Sequence, residues 1–220
     1  MKRYGTRGEH VNATLLKRRT ADSVMLYVFV GVLFAVGVVF GALSVHALTL
    51  EQQQDLSGDL DRFVKTMEAG MFPDESAAFW ARLFFYAKWI LLIGALGMTV
   101  VGLPFVLALD FLKGALVGFA IGTVVSEHGW KGIVFSLASV VPPNLIVVPA
   151  FMIASVAAVT FALHVIRYRL LQGKGRLMPA FASLCMMLTL MLLAVTAASL
   201  VEAYVSPALM RWAAPMLSGS

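Results

Sequence analysis

Residues 24–48 read VMLYVFVGVLFAVGVVFGALSVHAL, twenty-five positions without a charged side chain. A helix needs roughly 20 mostly apolar residues to cross the hydrocarbon layer. This run is therefore long enough to span. It is too long for the apolar core of a signal peptide, and a basic stretch of about twenty residues precedes it, so it reads as a retained span. The rest of the 220-residue chain has the same character. Hydrophobic residues make up 60% and charged residues 13%, where a soluble domain carries about 25% charged residues. The fold class that follows is an all-α integral membrane protein. A large soluble catalytic domain, a coiled coil and a disulfide scaffold are excluded. The single cysteine, Cys185, lies in an apolar run and can form no intrachain disulfide.

Four further apolar regions follow. Trp89–Ala108 is read as the second span, with Lys88 beside Tyr86 and Trp89 as a snorkelling lysine in an aromatic belt. Phe111–Ser126 is the third. Gly132–Ile166 is too long for one pass and too short for two passes and a turn, and Pro142, Pro143 and Pro149 interrupt it. Ala180–Leu200 is the last. The expectation is five transmembrane helices, the fourth preceded by a broken or re-entrant proline-containing piece.

Basic residues orient such a bundle. The first 21 residues hold Lys2, Arg3, Arg7, Lys17, Arg18 and Arg19 against Glu9. The segment Arg167–Leu177 holds Arg167, Arg169, Lys174 and Arg176 and no acid. The loop 49–82 holds seven acids and three bases. The amino terminus is therefore expected in the cytoplasm, with the acidic loop and the carboxyl terminus outside. Residues 1–23 form a basic cytoplasmic segment, 24–207 a polytopic membrane domain with the outer loop 49–82, and 208–220 an extracytoplasmic tail. The net charge of +5 is explained as inside anchoring, so no nucleic-acid partner is inferred.

Within the loop, Thr49-Leu50-Glu51-Gln52 has capping-box spacing. Leu56, Leu60, Phe63, Val64 and Met67 then follow one helical face. Gly70 ends the pattern, Pro73 follows, and Asp74 is placed to cap a helix leading into the second span. The loop is read as a short amphipathic helix on the outer surface, too small to bury a core of its own. It rests on lipid or on its own bundle, or it docks an extracytoplasmic partner.

Gly114, Gly118 and Gly122 repeat at four-residue spacing in the third span, and Gly37 and Gly41 repeat the device in the first. Such stripes let helices approach closely. Packing within the chain is the first use, homo-oligomerisation the second. Pro142 and Pro143 cannot continue a preceding helix, and Asn144 can bond the freed backbone groups or cap the next half-helix. Broken helices of this kind mark binding sites in transporters; a structural turn is the plainer reading. Asp110 and Lys113 are placed at the inner turn between spans two and three, paired across one helical turn. Glu202 is placed at the outer interface. No Asp/Glu/His chain is expected through the mid-membrane, which weakens a transport reading.

No catalytic constellation is found. His10, His46, His128 and His164 are scattered, no HExxH occurs, and no Cys/His cluster has metal-ligand spacing. No cofactor or metal is inferred. The acids of the outer loop lie on a solvated helix face with nothing to desolvate them. Asn12-Ala13-Thr14 matches a glycosylation sequon but falls on the cytoplasmic side.

Several ordered segments carry a family resemblance. They are Gly37-Val38-Val39-Phe40-Gly41, Gly102-Leu103-Pro104, Phe111-Leu112-Lys113-Gly114, Val117-Gly118-Phe119, Gly129-Trp130-Lys131-Gly132, the stretch Pro142–Pro149, and Glu202-Ala203-Tyr204-Val205-Ser206-Pro207. Together they resemble stage II sporulation protein M, from about Leu26 to Trp212. The resemblance implies a mother-cell septal membrane protein of engulfment. Its partners would be stage II sporulation proteins D and P, a lytic transglycosylase and an amidase/endopeptidase that thin septal peptidoglycan. The wider superfamily often has an acid just before the last proline of the proline-rich segment; Val147-Val148 stand here, which favours the sporulation branch. The expected function is a non-enzymatic scaffold, with Gly118, Pro142, Asn144, Pro149 and Glu202 maintaining its shape and Trp130 a further candidate structural or interaction residue. The rival is a transporter or exporter subunit built around Pro142–Pro149. A lipid-organising role is supported by the amphipathic segment alone.

Overall fold

A computed structural model describes residues 5–68, 74–99, 101–167 and 177–209. Among them the chain is helical, with no strand. The helices are α1 (Gly5–Ser44), α2 (Leu50–Glu68), α3 (Glu75–Gly97), α4 (Gly102–Ser139), α5 (Val141–Val165) and α6 (Leu177–Leu200). Five stretches are long and apolar enough to cross a membrane: Val24–Ala47, Glu75–Gly97, Gly102–Glu127, Val141–Val165 and Leu177–Leu209. Helices suit such a chain because lipid offers backbone groups no partner. The end at which α1 enters, beside the basic segments, is termed the basic end, and the opposite one the acidic end.

The second and third spans differ from expectation. α3 begins at Glu75, inside the stretch assigned to the outer loop, and the turn falls between Gly97 and Gly102 rather than near Asp110. The turn is apolar, so hydropathy runs straight through it. Thr99 supplies its polar groups. Its hydroxyl donates to the Leu96 carbonyl at 2.9 Å and accepts from the Gly102 amide at 3.0 Å. Gly102 is needed here, because a Cβ would overlap the Leu96 carbonyl. Pro104 then sits in the first turn of α4, where helix N–H groups lack intrahelical partners anyway. This shift moves Asp110 and Lys113 from a turn into the body of a span.

α4 is sharply kinked at Gly129, which has φ 53° and ψ −128°. Beyond it, residues 130–139 fold back, bringing the Gly132 backbone against Val124 and Val125. Ten helical residues rise about 15 Å, roughly half the hydrocarbon thickness, so this arm does not cross. Pro142 and Pro143 begin α5 rather than unwinding it. The Asn144 side-chain amide donates to the Val140 carbonyl at 2.7 Å. Pro149 lies inside α5, which stays helical through it and leaves the proline exposed.

α5 is the central helix and packs on α1, α3, α4 and α6. In its most apolar window 56% of residues are buried, against 22–28% in the other spans. The core joins Ile90 and Ile93 of α3, Val106 of α4, Phe151 and Ala154 of α5, and Leu184 of α6.

At the acidic end the capping box forms in both directions. The Thr49 amide donates to Gln52 Oε1 at 3.0 Å, and the Gln52 amide donates to Thr49 Oγ1 at 3.3 Å. α2 runs from this cap and touches α4, with Leu56 half-buried. The side chains of Leu60, Phe63, Val64 and Met67 lie outside the described residues, as do Gly70 and Pro73. So do the loop 168–176 and the tail from residue 210. Asp74 occupies the N-cap of α3. Its carboxylate accepts the Ser76 hydroxyl at 2.6 Å. That bond holds its carboxyl below the usual aspartate range.

Candidate functional site

Two arrangements bring the predicted residues together. The first is a glycine seam. α1 and α4 run parallel, and their stripes face each other. Gly114 lies against Phe34 and Val38, Gly118 against Val38, and Gly122 against Ala42; Gly37 and Gly41 lie against Phe111 and Ala115. At Gly37, Gly41, Gly114 and Gly118 a Cβ would overlap a carbonyl of the facing helix, and at Gly122 it would stand 3.0 Å from the Ala42 Cα. The stripe is thus occupied within the chain, and this face is closed to a second copy.

The second arrangement is a polar cluster inside the bundle, where α3, α4, α5 and α6 meet. Asp110 is 3% exposed and accepts the Ser155 hydroxyl of α5 at 2.8 Å; its Oδ2 is buried without a partner. Lys113 is 9% exposed and stands near the middle of its span. Its Nζ lies 5.4–5.6 Å from the ring centroids of Phe85, Tyr86 and Phe151. The negative faces of three rings stabilise a cation buried away from bulk solvent. The Tyr86 hydroxyl donates to the Glu202 carboxylate. The other oxygen of Glu202 lies 3.1 Å from Arg82 Nε. A π-helical turn, Val201–Val205, carries Glu202, and such turns re-aim side chains within a helix.

One expectation is corrected by this geometry. Asp110 and Lys113 lie inside a span rather than at a turn, and no ion pair joins them. Glu202, near the end of the last span, is held by two partners of α3. Polar groups follow one another along the bundle from Arg82 through Glu202 and Tyr86 to the ring cage of Lys113, with Asp110 one helical turn away; this is not an Asp/Glu/His relay. Arg82 and Tyr86 are four residues apart, and that spacing signals a shared polar face. The misplaced turn concealed the signal by leaving Arg82 in a loop.

A family model of stage II sporulation protein M matches residues 30–207. The chain belongs to the stage II sporulation protein M family. No curated protein and no solved structure matches it. The family places it as a sporulation-related, multi-pass membrane protein. The match takes in the glycine seam, all six polar residues of the cluster and the fold-back arm.

The remaining predicted residues of this family member lie apart from the cluster. Trp130 stands 83% exposed just beyond the Gly129 kink. Pro143 is buried and Pro142 half-buried at the start of α5. Asn144 Oδ1 is buried without a partner. Among the described residues no group of three or more His, Cys, Asp or Glu side chains could hold a metal ion. A groove of 250 Å³ runs between α1, α5 and α6, and a crevice of 130 Å³ lies between α2, α4 and the turn that follows α1. Neither is lined by Pro142, Asn144 or Pro149, so the structure moves polar interest away from the proline segment and onto Asp110 and Lys113.

Proposed function

We propose that this sporulation membrane protein is a non-enzymatic scaffold of the engulfment machinery, holding peptidoglycan-degrading partners at the septal membrane of the mother cell. The family match across residues 30–207 carries the reading. By resemblance, the partners are stage II sporulation proteins D and P. The geometry is compatible with that role. The seam and the polar cluster tie the spans into one body, and the acids of α2 offer a charged face at the acidic end. The chemistry would belong to the partners, and this chain would position them laterally. The test is mild solubilisation of the tagged protein from sporulating cells. Recovery of two cell-wall hydrolases, absent from a control membrane protein's eluate, supports the scaffold. Recovery of abundant intact protein alone, or with a nucleotide-binding subunit, overturns it.

A transporter subunit is the second reading. It is favoured by one observation, the buried Asp110 oxygen without a partner beside a lysine that lacks a carboxylate partner. Ionisable groups inside a span mark ion pathways when they are not structural. This reading requires a solute flux that Asp110→Asn abolishes at unchanged protein abundance, whereas a scaffold has none to lose.

A further inference from the structure

The groove between α1, α5 and α6 has a graded lining. α5 forms its floor, and α1 and α6 its walls. Three hydroxyl groups converge toward the basic end: Tyr27 of α1, Thr160 of α5 and Ser183 of α6. Thr160 and Ser183 are exposed, and Tyr27 is 37% exposed. Among the described residues none of the three hydroxyls has a hydrogen-bond partner. Elsewhere in α6, Thr189, Thr196 and Ser199 each donate to the carbonyl four residues back. A hydroxyl facing pure hydrocarbon is costly without such a bond. Three of them lining one groove point to an occupant that carries acceptors. Deeper in the groove the lining turns apolar, with Ile153, Val156 and Met187.

The basic end supplies charge of one sign. Arg167 is exposed one helical turn beyond His164, which itself lines the groove. Among the described residues no acid lines this groove. A polar mouth with a cation at its rim and an apolar interior has the profile of an anionic phospholipid: phosphate, glycerol esters, then acyl chain. A partner helix fits less well, because close helix approach needs small residues along its whole length. Here the small residues Ala157, Ala180 and Ser183 are interleaved with the bulky Val156, Phe161, Leu184 and Met187, which hold a second helix off.

We propose that the α1–α5–α6 groove binds one anionic phospholipid from the leaflet at the basic end, with ester and phosphate oxygens at Thr160, Ser183 and Arg167 and an acyl chain along Ile153, Val156 and Met187.

The full chain in mild detergent is titrated with phosphatidylglycerol and, separately, with phosphatidylcholine of the same acyl chains. Retained lipid is counted by native mass spectrometry, and the unfolding midpoint is recorded. Wild type should retain phosphatidylglycerol preferentially and be stabilised by it. Arg167→Gln should weaken that binding about fivefold. Ser183→Phe should block the groove and abolish retention while the protein still elutes as a folded species. Should that variant aggregate, the paired Thr160→Val and Ser183→Ala replacements keep the shape and remove two hydroxyls; they should weaken phosphatidylglycerol retention. Equal retention of both lipids by wild type, or undiminished retention in the variant that folds, overturns the proposal. So does a photoreactive residue at position 187 that labels a protein instead of a lipid in native membranes.

Discussion

The Tyr86 hydroxyl of α3 donates to the Glu202 carboxylate of the π-helical turn that follows α6, joining residues 116 positions apart. Glu202 is also held by Arg82, one helical turn before Tyr86. Two residues of one helix therefore grip a single acid of another. A hydrogen bond to a charged group contributes about 1.5–3 kcal/mol. Tyr86→Phe should lower the unfolding midpoint in detergent, and Arg82→Gln should do the same. The two share one partner, so their effects should be non-additive by about 0.5–3 kcal/mol. A double-mutant cycle by thermal unfolding checks this; strict additivity would show that the Glu202 grip is not a unit.

Gly118 tests the seam. A Cβ there would overlap the Val38 carbonyl, which is backbone and cannot move without moving α1. Gly118→Ala should therefore reduce stability and abundance even though alanine favours helix by about 1 kcal/mol. Gly58 of α2 has nothing within 4 Å of the corresponding position, so Gly58→Ala should be neutral or stabilising. The contrast between the two, measured as steady-state protein level and unfolding midpoint, separates close packing from helix propensity. Equal behaviour would remove the seam from the account.

Lys113 tests whether a buried charge is there for its charge or for its bulk. Its aliphatic stem and cation fill a cage of three rings. Methionine has similar length and makes favourable contacts with rings. Replacing a buried charge with an apolar group of like volume is often neutral. On the scaffold reading, Lys113→Met should fold within about 1.5 kcal/mol of wild type and support sporulation, while Lys113→Glu should do neither. Spore counts and protein levels decide it. A well-folded Lys113→Met protein that blocks sporulation would show that the charge itself is used.

The parts of this fold that were legible in sequence share a cause. Runs of charge-free residues declare spans because lipid demands them, so five spans and the break before the fourth could be read. The α2 capping box was legible because it is local: three residues of spacing suffice. The turn at Met98 and Thr99 was not legible, because its polar needs are met by one threonine and its surroundings are apolar. That single error carried Asp110 and Lys113 to the wrong place and left Arg82 in a loop, and so hid the cluster. The cluster also depends on a π-helical turn at Glu202, whose aim follows from tertiary packing and not from local residues. The proline pair was visible, and its reading as a stop to the preceding helix holds: α4 ends at Ser139 and the prolines open α5. A proline in the first helical turn costs nothing.

Gly129 was quoted only as part of a motif, yet it determines where that arm goes. Its Cβ position is open, with nothing within 4 Å, so crowding does not require glycine there. The requirement is conformational, because φ 53° with ψ −128° lies outside the regions open to other residues. Asparagine relieves a left-handed residue when ψ is also positive, near +47°. At ψ −128° it gives no relief. Gly129→Ala and Gly129→Asn should therefore destabilise alike, by about 1–3 kcal/mol. Both should loosen the fold-back arm, raising the accessibility of a cysteine placed at Phe135, which is 3% exposed in the native chain. Unfolding midpoints and thiol-labelling rates measure the two effects. If asparagine is tolerated where alanine is not, the kink is an ordinary left-handed residue, and the arm must owe its direction to the packing of Gly132 on Val124.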